Sequence, residues 1–146
     1  MNNLPVLYFA YGSNMSSKRL IKRIASAKPL IEASVENYNL KFNKISKDGT
    51  GKANLIKADG VVIGVIFEMN QDDIIKLDNI EKGYSRVLVN VQGVDGKSYE
   101  AVTYISDQIN DTLKPSKEYL QYIIDGASEH QLPEYYSKYL QSTEVI

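Results

Sequence analysis

The chain has 146 residues, of which 43% are apolar and 24% are charged, so we expect one globular domain over 1–146 with a single hydrophobic core. It contains no cysteine, which excludes disulfide bonds, thiol catalysis and thiolate metal sites. No apolar run approaches the ~20 residues of a membrane-spanning helix and no signal peptide is apparent, which predicts a cytoplasmic protein without a membrane partner.

Charge is distributed unevenly along the chain, although the net charge is only −1. Residues 1–60 carry ten Lys or Arg and four acids, whereas residues 61–146 carry seven Lys or Arg and fourteen acids. The simplest explanation is two complementary faces of one domain. A sharper explanation is that the basic half attracts an anionic substrate. Nucleic acid is not expected as a partner, because the lysines are spread out without stacking aromatics between them.

The first half of the chain has the pattern of strands interrupted by one short helix. The apolar run from Val6 to Tyr11 predicts a buried strand, and the turn Gly12-Ser13-Asn14 separates it from a basic helix at about 16–24. Alternating and β-branched apolar residues then predict three further strands, at about 33–44, 52–57 and 60–68.

A helix and a β-hairpin follow these strands. Asn70 is a suitable N-cap for a helix that is predicted to run to about Lys82 and to stop at Gly83. Two strands, at 84–94 and 98–105, are joined by Asp95-Gly96, which is a strong hairpin signal.

Two further helices are predicted at the end of the chain. Lys114-Pro115-Ser116 opens a helix that runs to about residue 129, and Pro133 starts a last short helix. Many strands with a few helices at defined places predict an α+β fold. The expected architecture is a small mixed sheet, curled or barrel-like, with peripheral helices.

The reactive residue types limit the chemistry that the chain can perform. One histidine and no cysteine leave no metal cluster of the usual kind, so no metal is expected. His130 follows a predicted helix, where a surface or capping role is expected. The sequence has no G-x-S-x-G elbow, no P-loop and no dinucleotide fingerprint, and no cofactor is predicted. Carboxylates, tyrosines and backbone amides remain as candidate functional groups.

The first candidate is the turn Tyr11-Gly12-Ser13-Asn14, between a buried strand and a helix. Backbone N–H groups can converge on an anion at such a turn, and Gly12 lacks the Cβ that would block a close approach. An ordinary strand-to-helix turn has the same pattern, so the turn alone does not establish a binding site.

The second candidate is Glu81. At 100° per residue it lies near the centre of the apolar stripe of the predicted helix, which requires the carboxylate to be half-buried or to follow the helix end. Burial and the negative end of the helix dipole both raise the pKa of such a group toward the range of a general acid or base. A frayed helix end with Glu81 in solvent remains open. Asp78, one turn earlier, is predicted to be structural.

The third feature is the number of tyrosines, eleven against three phenylalanines and no tryptophan. Many should lie in the core or at its rim, and some are expected to line a polar pocket with their hydroxyls. Composition does not identify which ones.

Three segments resemble the gamma-glutamylcyclotransferases and their plant avirulence-induced-gene-like relatives. Tyr8-Phe9-Ala10-Tyr11-Gly12-Ser13-Asn14 resembles the opening signature of that family. GVIFEMNQDDIIKLDNIEKG, from Gly64 to Gly83, resembles its second block, in which an acidic helix end carries the catalytic glutamate. PSKEYLQYIIDGASEHQLPEYYSKYL, from Pro115 to Leu140, resembles the closing helices of the animal enzymes.

The resemblance implies a barrel-like sheet with a central cavity that binds a small γ-glutamyl substrate and converts it to 5-oxoproline. It implies that Glu81 is the catalytic acid/base. The implied substrate-binding residues are Tyr8, Phe9, Ala10, Tyr11, Gly12, Ser13, Tyr104 and Tyr119, of which Tyr119 would close over the substrate. The family glutamate is commonly followed by glycine and a longer loop, whereas Lys82-Gly83-Tyr84 follows here, so the resemblance does not define the leaving-group pocket.

Two alternatives to this function remain at the level of the sequence. One is a related cyclotransferase that acts on γ-glutamyl amines or carrier-bound γ-glutamyl groups. The other is a ligand-binding member of the fold without turnover, which the presence of Glu81 argues against. A monomer and a homodimer are both compatible with the sequence.

Overall fold

The computed structural model describes residues 4–146, which form five strands, four α-helices and one short 3₁₀ turn. In chain order these are β1 (Val6–Ala10), the 3₁₀ turn (Ser13–Met15), α1 (Ser17–Arg23), β2 (Lys28–Ile45), β3 (Gly51–Met69), α2 (Gln71–Ile80), β4 (Ser85–Gly93), β5 (Ser98–Ile105), α3 (Lys117–Glu129) and α4 (Glu134–Gln141). Each helix in this part of the chain is too short or too polar to traverse a lipid bilayer.

The strands close into a barrel in the order β1-β3-β2-β4-β5. All neighbours are antiparallel except β5 and β1, which close the barrel as a parallel pair. Tyr8 is the residue at this closure, because it pairs with Phe67 of β3 on one side and with Val102 of β5 on the other. The predicted α+β fold with a mixed barrel-like sheet is confirmed.

The long hairpin of β2 and β3 differs from the sequence prediction. The two strands predicted at 52–57 and 60–68 are one continuous strand, and β2 begins five residues earlier than predicted. The pairing register shifts between Glu36 and Tyr38, where Asn37 adopts a φ of 68°. This bulge accommodates the extra residues of β3, so the polar stretch around Asp59 bends the hairpin without ending the strand.

Helix α2 begins as predicted after Asn70 but ends at Ile80, two residues before the predicted end. Asn70 occupies the N-cap position, as predicted, but its side chain makes no capping hydrogen bond. Instead the Ser26 hydroxyl accepts from the Asn70 N–H (3.1 Å) and donates to Asp73 (2.5 Å). Gly83 has a φ of 85°, which favours glycine and turns the chain toward β4.

Helix α3 packs against the 3₁₀ turn at the end of β1. A Cβ at Gly126 would lie 2.7 Å from the Met15 carbonyl carbon and 2.8 Å from the Ser16 nitrogen, so only glycine allows this approach. The helix begins at a cap in which the Ser116 hydroxyl accepts from the Tyr119 N–H (3.1 Å). The close packing places Tyr119, in the first turn of α3, beside the mouth of the barrel.

Candidate active site

A small polar cavity lies where the 3₁₀ turn, the end of α2 and the start of α3 meet the barrel. Its volume is about 40 Å³. Five of its lining residues are tyrosines, and the complete lining is Tyr8, Tyr11, Gly12, Ser13, Asn14, Ala53, Glu81, Tyr84, Tyr104 and Tyr119. Residues from three strands, two helix ends and the adjoining turns therefore converge on a space that is lined mainly by hydroxyl groups around one carboxylate.

Most residues that the sequence predicted for the site line this cavity. Seven of the nine do so, namely Glu81, Tyr8, Tyr11, Gly12, Ser13, Tyr104 and Tyr119. Phe9 and Ala10 do not, because both are fully buried in the hydrophobic core. The Phe9 backbone carbonyl accepts a hydrogen bond from the Thr103 hydroxyl (2.7 Å), which joins β1 to β5. These two residues therefore support the wall of the barrel from behind.

Glu81 occupies the C-cap position of α2, just outside the helix, with φ −84° and ψ 62°. Its backbone N–H still donates to the Leu77 carbonyl (2.9 Å), and its own carbonyl accepts from the Tyr84 N–H (3.2 Å). The Asn14 side-chain amide donates to Glu81 Oε1 (2.7 Å) and to the Tyr8 hydroxyl (3.1 Å). The helix end and the turn after β1 therefore hold the carboxylate in the cavity.

The groups around Glu81 shift the pKa of its carboxyl in opposite directions. Burial raises the pKa of its carboxyl above the ordinary value, and this is the largest effect. The positive charges of Arg23, Arg19 and Lys44 and the hydrogen bond from Asn14 oppose it. Because burial outweighs these groups, Glu81 exchanges its proton closer to neutral pH than an exposed glutamate does, which suits a general acid or base.

The tyrosines of the cavity are fixed and neutral. Burial is the largest cause that raises the pKa of each of them, to about 12 for Tyr119 and well above the ordinary tyrosine value for Tyr8, Tyr11, Tyr84 and Tyr104. They can therefore donate and accept hydrogen bonds but cannot serve as bases near neutral pH. Among the described residues lining the cavity, Glu81 is the only carboxylate.

Hydrogen bonds anchor several of these tyrosine hydroxyls to the barrel. Tyr84 donates to the Ala53 carbonyl (2.7 Å), while Tyr119 accepts from the Ala53 N–H (3.0 Å). Tyr104 donates to Asp78 (2.7 Å), whose carboxylate also lies 3.6 Å from Arg86 Nε. Asp78 thus has the structural role that its position in the helix predicted.

The turn at Gly12 faces the cavity directly. A Cβ at Gly12 would lie 3.1 Å from the Ala53 Cβ and 3.7 Å from the Tyr119 hydroxyl, so a side chain here would occupy the space between them. Gly12 has a φ of −119°, so close approach explains the glycine and backbone strain does not. Gly12 is followed directly by the 3₁₀ turn Ser13–Met15, and the α-helix α1 begins only at Ser17.

Sequence reasoning missed three lining residues and placed one residue correctly outside the site. Asn14 belongs to the opening signature but was assigned no role, and nothing in the local pattern of Ala53 or Tyr84 distinguishes them.

His130 lies at the C-cap of α3, where its Nε2 is 2.9 Å from the Met15 carbonyl oxygen, and it does not line the cavity. No group of three or more His, Asp or Glu side chains within 4–146 is placed to share a metal ion.

A larger groove adjoins the cavity and shares Ser13, Glu81, Tyr84 and Tyr119 with it. Its volume is about 520 Å³. The groove runs between α1, the β2–β3 hairpin and the loop after α2. The Ser106 hydroxyl fixes that loop by donating to the Gly83 carbonyl (2.7 Å). The carboxylate of Glu81 therefore lies at the junction between a small inner space and a wide outer one.

Comparison with known proteins gives consistent matches over nearly the whole chain. Residues 61–140 match the AIG2-like family. The chain is 32% identical over 148 residues to the gamma-glutamylcyclotransferase of Mus musculus, covering 94% of this chain and 78% of that protein, and 33% identical over 153 residues to that of Bos taurus with the same coverage. A solved gamma-glutamyl cyclotransferase superposes with a TM-score of 0.92 at 29% identity, covering 98% of this chain and 90% of the other. The chain therefore belongs to the gamma-glutamylcyclotransferase-like superfamily, as the resemblance in its sequence predicted.

Proposed function

We propose that this protein is a γ-glutamylcyclotransferase that converts a γ-glutamyl amino acid or amine to 5-oxoproline and the free amine, with Glu81 as general acid/base. The observation that carries the proposal is a single carboxylate of raised pKa in a cavity whose other polar side chains are neutral. The names of the relatives give the reaction class, because the matched proteins in Mus musculus and Bos taurus are called gamma-glutamylcyclotransferases.

The reaction is an intramolecular aminolysis. The α-nitrogen of the glutamyl group forms a bond to the γ-carbon of the same group, and the amide bond between that carbon and the leaving nitrogen breaks. The α-ammonium gives up two protons in total and the departing nitrogen gains two, so the products are the 5-oxoproline lactam and an ammonium group. No water, oxidant or reductant is consumed.

Glu81 moves these protons in the proposed mechanism. Its carboxylate accepts a proton from the α-ammonium, which frees the amine to attack, and then protonates the leaving nitrogen. The pKa of an α-ammonium lies above that of an ordinary carboxyl, so a raised carboxyl pKa narrows the difference between the two groups and eases the transfer. The location of Glu81 at the border between cavity and groove suits a group that serves both nitrogen atoms.

The other lining residues would hold the glutamyl group in the attacking conformation. Backbone amides at Gly12 and Ser13 are proposed to bind its α-carboxylate, and the hydroxyls of Tyr8, Tyr11 and Tyr104 to restrict its rotation. Tyr119, at the start of α3, would close over it. Positioning of this kind contributes on the order of 7 kcal/mol in favourable intramolecular reactions.

The test is to incubate the purified protein with a panel of γ-glutamyl dipeptides and γ-glutamyl amines and to measure products by mass spectrometry. We expect 5-oxoproline and free amine in equal amounts. Substrates that are acetylated on the α-nitrogen should be inert, because that nitrogen is the nucleophile. Release of glutamate instead of 5-oxoproline, or release of amine from an acetylated substrate, would indicate hydrolysis. A panel that binds without any turnover would indicate a ligand-binding protein.

A further inference from the structure

The division of the site into a small cavity and a wide groove separates the two ends of a substrate. Pockets that enclose a drug-sized ligand measure roughly 300–1,000 Å³, so a cavity of about 40 Å³ has room only for the reacting end of a molecule. The groove, with about 520 Å³, lies within that range. The departing amine and everything attached to it therefore lie in the groove, on the outer side of Glu81.

The groove is strongly basic. Six of its fifteen lining residues are Lys or Arg and one, Glu81, is acidic, although the whole chain has a net charge of −1. The cations are Arg19, Arg23, Lys44, Lys47, Lys52 and Lys82. All but Lys82 belong to the first sixty residues, so five of the ten Lys and Arg residues in the basic half of the sequence line this groove.

Within residues 4–146, only one of these six cations forms an ion pair with a carboxylate of the protein. Lys52 forms an ion pair with Asp48 (3.4 Å), but within residues 4–146 no carboxylate is ion-paired with any of the other five. Arg19 and Arg23 lie four residues apart on α1, where like charges repel. Burial and the neighbouring Arg23 lower the pKa of Arg19, and burial, with Lys52 also contributing, lowers that of Lys44. The fold thus keeps positive charges close together despite their mutual repulsion and partial burial.

Aromatic rings of the cavity hold two of these cations beside the site, and a third cation contacts Ser13. Lys52 Nζ lies 4.4 Å from the ring centre of Tyr119, and Lys44 Nζ lies 5.2 Å from that of Tyr84. Both rings also line the cavity, so the two ammonium groups flank its mouth. The Arg19 guanidinium donates to the Ser13 hydroxyl (3.2 Å) and stacks on Tyr122 at 4.5 Å.

The number of cations exceeds what a simple γ-glutamyl amine requires. Glu81, Asp48 and the glutamyl α-carboxylate offer three negative charges against six cations, which leaves three cations uncompensated. We propose that the physiological leaving group is an amine that carries two carboxylates, as in γ-glutamyl-glutamate. This inference rests on the proposed function. The departing amine gains its two protons as described above and retains both carboxylates, which the lysines and arginines of the groove bind.

The test compares γ-glutamyl-glutamate with γ-glutamyl-glutamine, which has nearly the same shape but one carboxylate fewer on the leaving group. We expect kcat/KM to be about tenfold higher for the glutamate compound, the size of effect expected for an additional partly shielded ion pair. The preference should shrink as ionic strength rises from about 10 mM to about 1 M, because the screening length falls from about 30 Å to about 3 Å.

Two variants of matched charge locate the effect. Lys47→Gln combined with Lys82→Gln removes two exposed groove charges that do not line the cavity, and should reduce the preference at least threefold. Lys76→Gln combined with Lys97→Gln removes two exposed charges elsewhere and should leave the preference intact. If both double variants reduced the preference equally, the preference would come from the overall charge of the protein and not from the groove, and the proposal would be overturned.

Binding separates this inference from the proposed function. Calorimetry with the Glu81→Gln protein measures the affinity for both dipeptides without turnover. Equal affinities for the two compounds would overturn the anionic leaving group, even if the wild-type protein releases 5-oxoproline from both. Tighter binding of γ-glutamyl-glutamate, without any 5-oxoproline from the wild-type protein, would support the basic subsite and refute the cyclotransferase activity.

Discussion

At the scale of single residues, the proposed mechanism depends on Glu81. Glu81→Gln preserves the size of the side chain and an oxygen that can accept the Asn14 hydrogen bond, but the amide cannot take up a proton. We expect kcat to fall by ~10²–10⁴-fold, as is typical for the loss of a general base, with a thermal unfolding midpoint equal to or above that of the wild type. Measurement of 5-oxoproline release and of thermal unfolding checks both parts. Near-normal turnover in the folded variant would assign the base to another group.

In the proposed mechanism the pH dependence of the rate follows the ionisation of Glu81, and the hydrogen bond from Asn14 influences the pKa of that carboxyl. The wild-type rate should rise with pH as Glu81 ionises, with an inflection above the pKa of an exposed glutamate. The Asn14 hydrogen bond favours the ionised form and lowers this pKa, so Asn14→Ala should move the inflection to higher pH. The pH profile of kcat for the two proteins tests this. A variant with lower activity but an unchanged inflection would show that Asn14 supports only the shape of the turn.

At the scale of secondary-structure elements, the site depends on the contact between α3 and the 3₁₀ turn. Gly126→Ala places a methyl group 2.7–2.8 Å from backbone atoms of Met15 and Ser16, which have little freedom to move. Overpacking of this kind costs about 1–3 kcal/mol, which should exceed the gain of about 1 kcal/mol in helix propensity. We expect a lower free energy of unfolding and reduced kcat, because Ser13 and Asn14 shift with the turn.

Denaturant unfolding and turnover assays measure both effects of Gly126→Ala. The control is Ser128→Ala, an exposed substitution in the same helix, which should leave kcat at the wild-type value. An active, more stable Gly126→Ala protein would mean that helix propensity outweighs the contact with the turn.

The elements themselves were largely predictable, because they are determined by local patterns. Gly83 and Gly96 predicted the end of the α2 region and the β4–β5 hairpin, and both glycines have the positive φ that such turns require. The bulge at Asn37 was not predictable, since its left-handed backbone is imposed by the closure of the barrel on β2 and β3. Without knowledge of this bulge, the polar stretch around Asp59 was interpreted as a break between two strands, although β3 is continuous there.

At the scale of the whole molecule, the position of Glu81 could be predicted but its surroundings could not. The helical stripe placed Glu81 at the end of the helix, either half-buried or in solvent, because that position depends on only about ten neighbouring residues. Ala53 and Tyr84 contact each other across 31 positions of sequence, and Tyr11 donates to the Tyr104 carbonyl across 93. Only the closure of the barrel brings such residues together, so single-sequence patterns carry no information about these contacts.

The charge distribution of the whole molecule also leads to a prediction about metals. Arg23, Arg19 and Lys44 all exert a favourable positive potential on Glu81, which would oppose the approach of a divalent cation to that carboxylate. The remaining polar lining consists of neutral tyrosines and amides, which are weak ligands for a divalent metal compared with carboxylates. We expect turnover to survive exhaustive dialysis against a strong chelator, with kcat within about twofold of the untreated protein. Metal content measured by mass spectrometry provides the control that dialysis was complete. Loss of activity that zinc, magnesium or manganese restores would require a metal in the mechanism, and Glu81 would then act as a ligand.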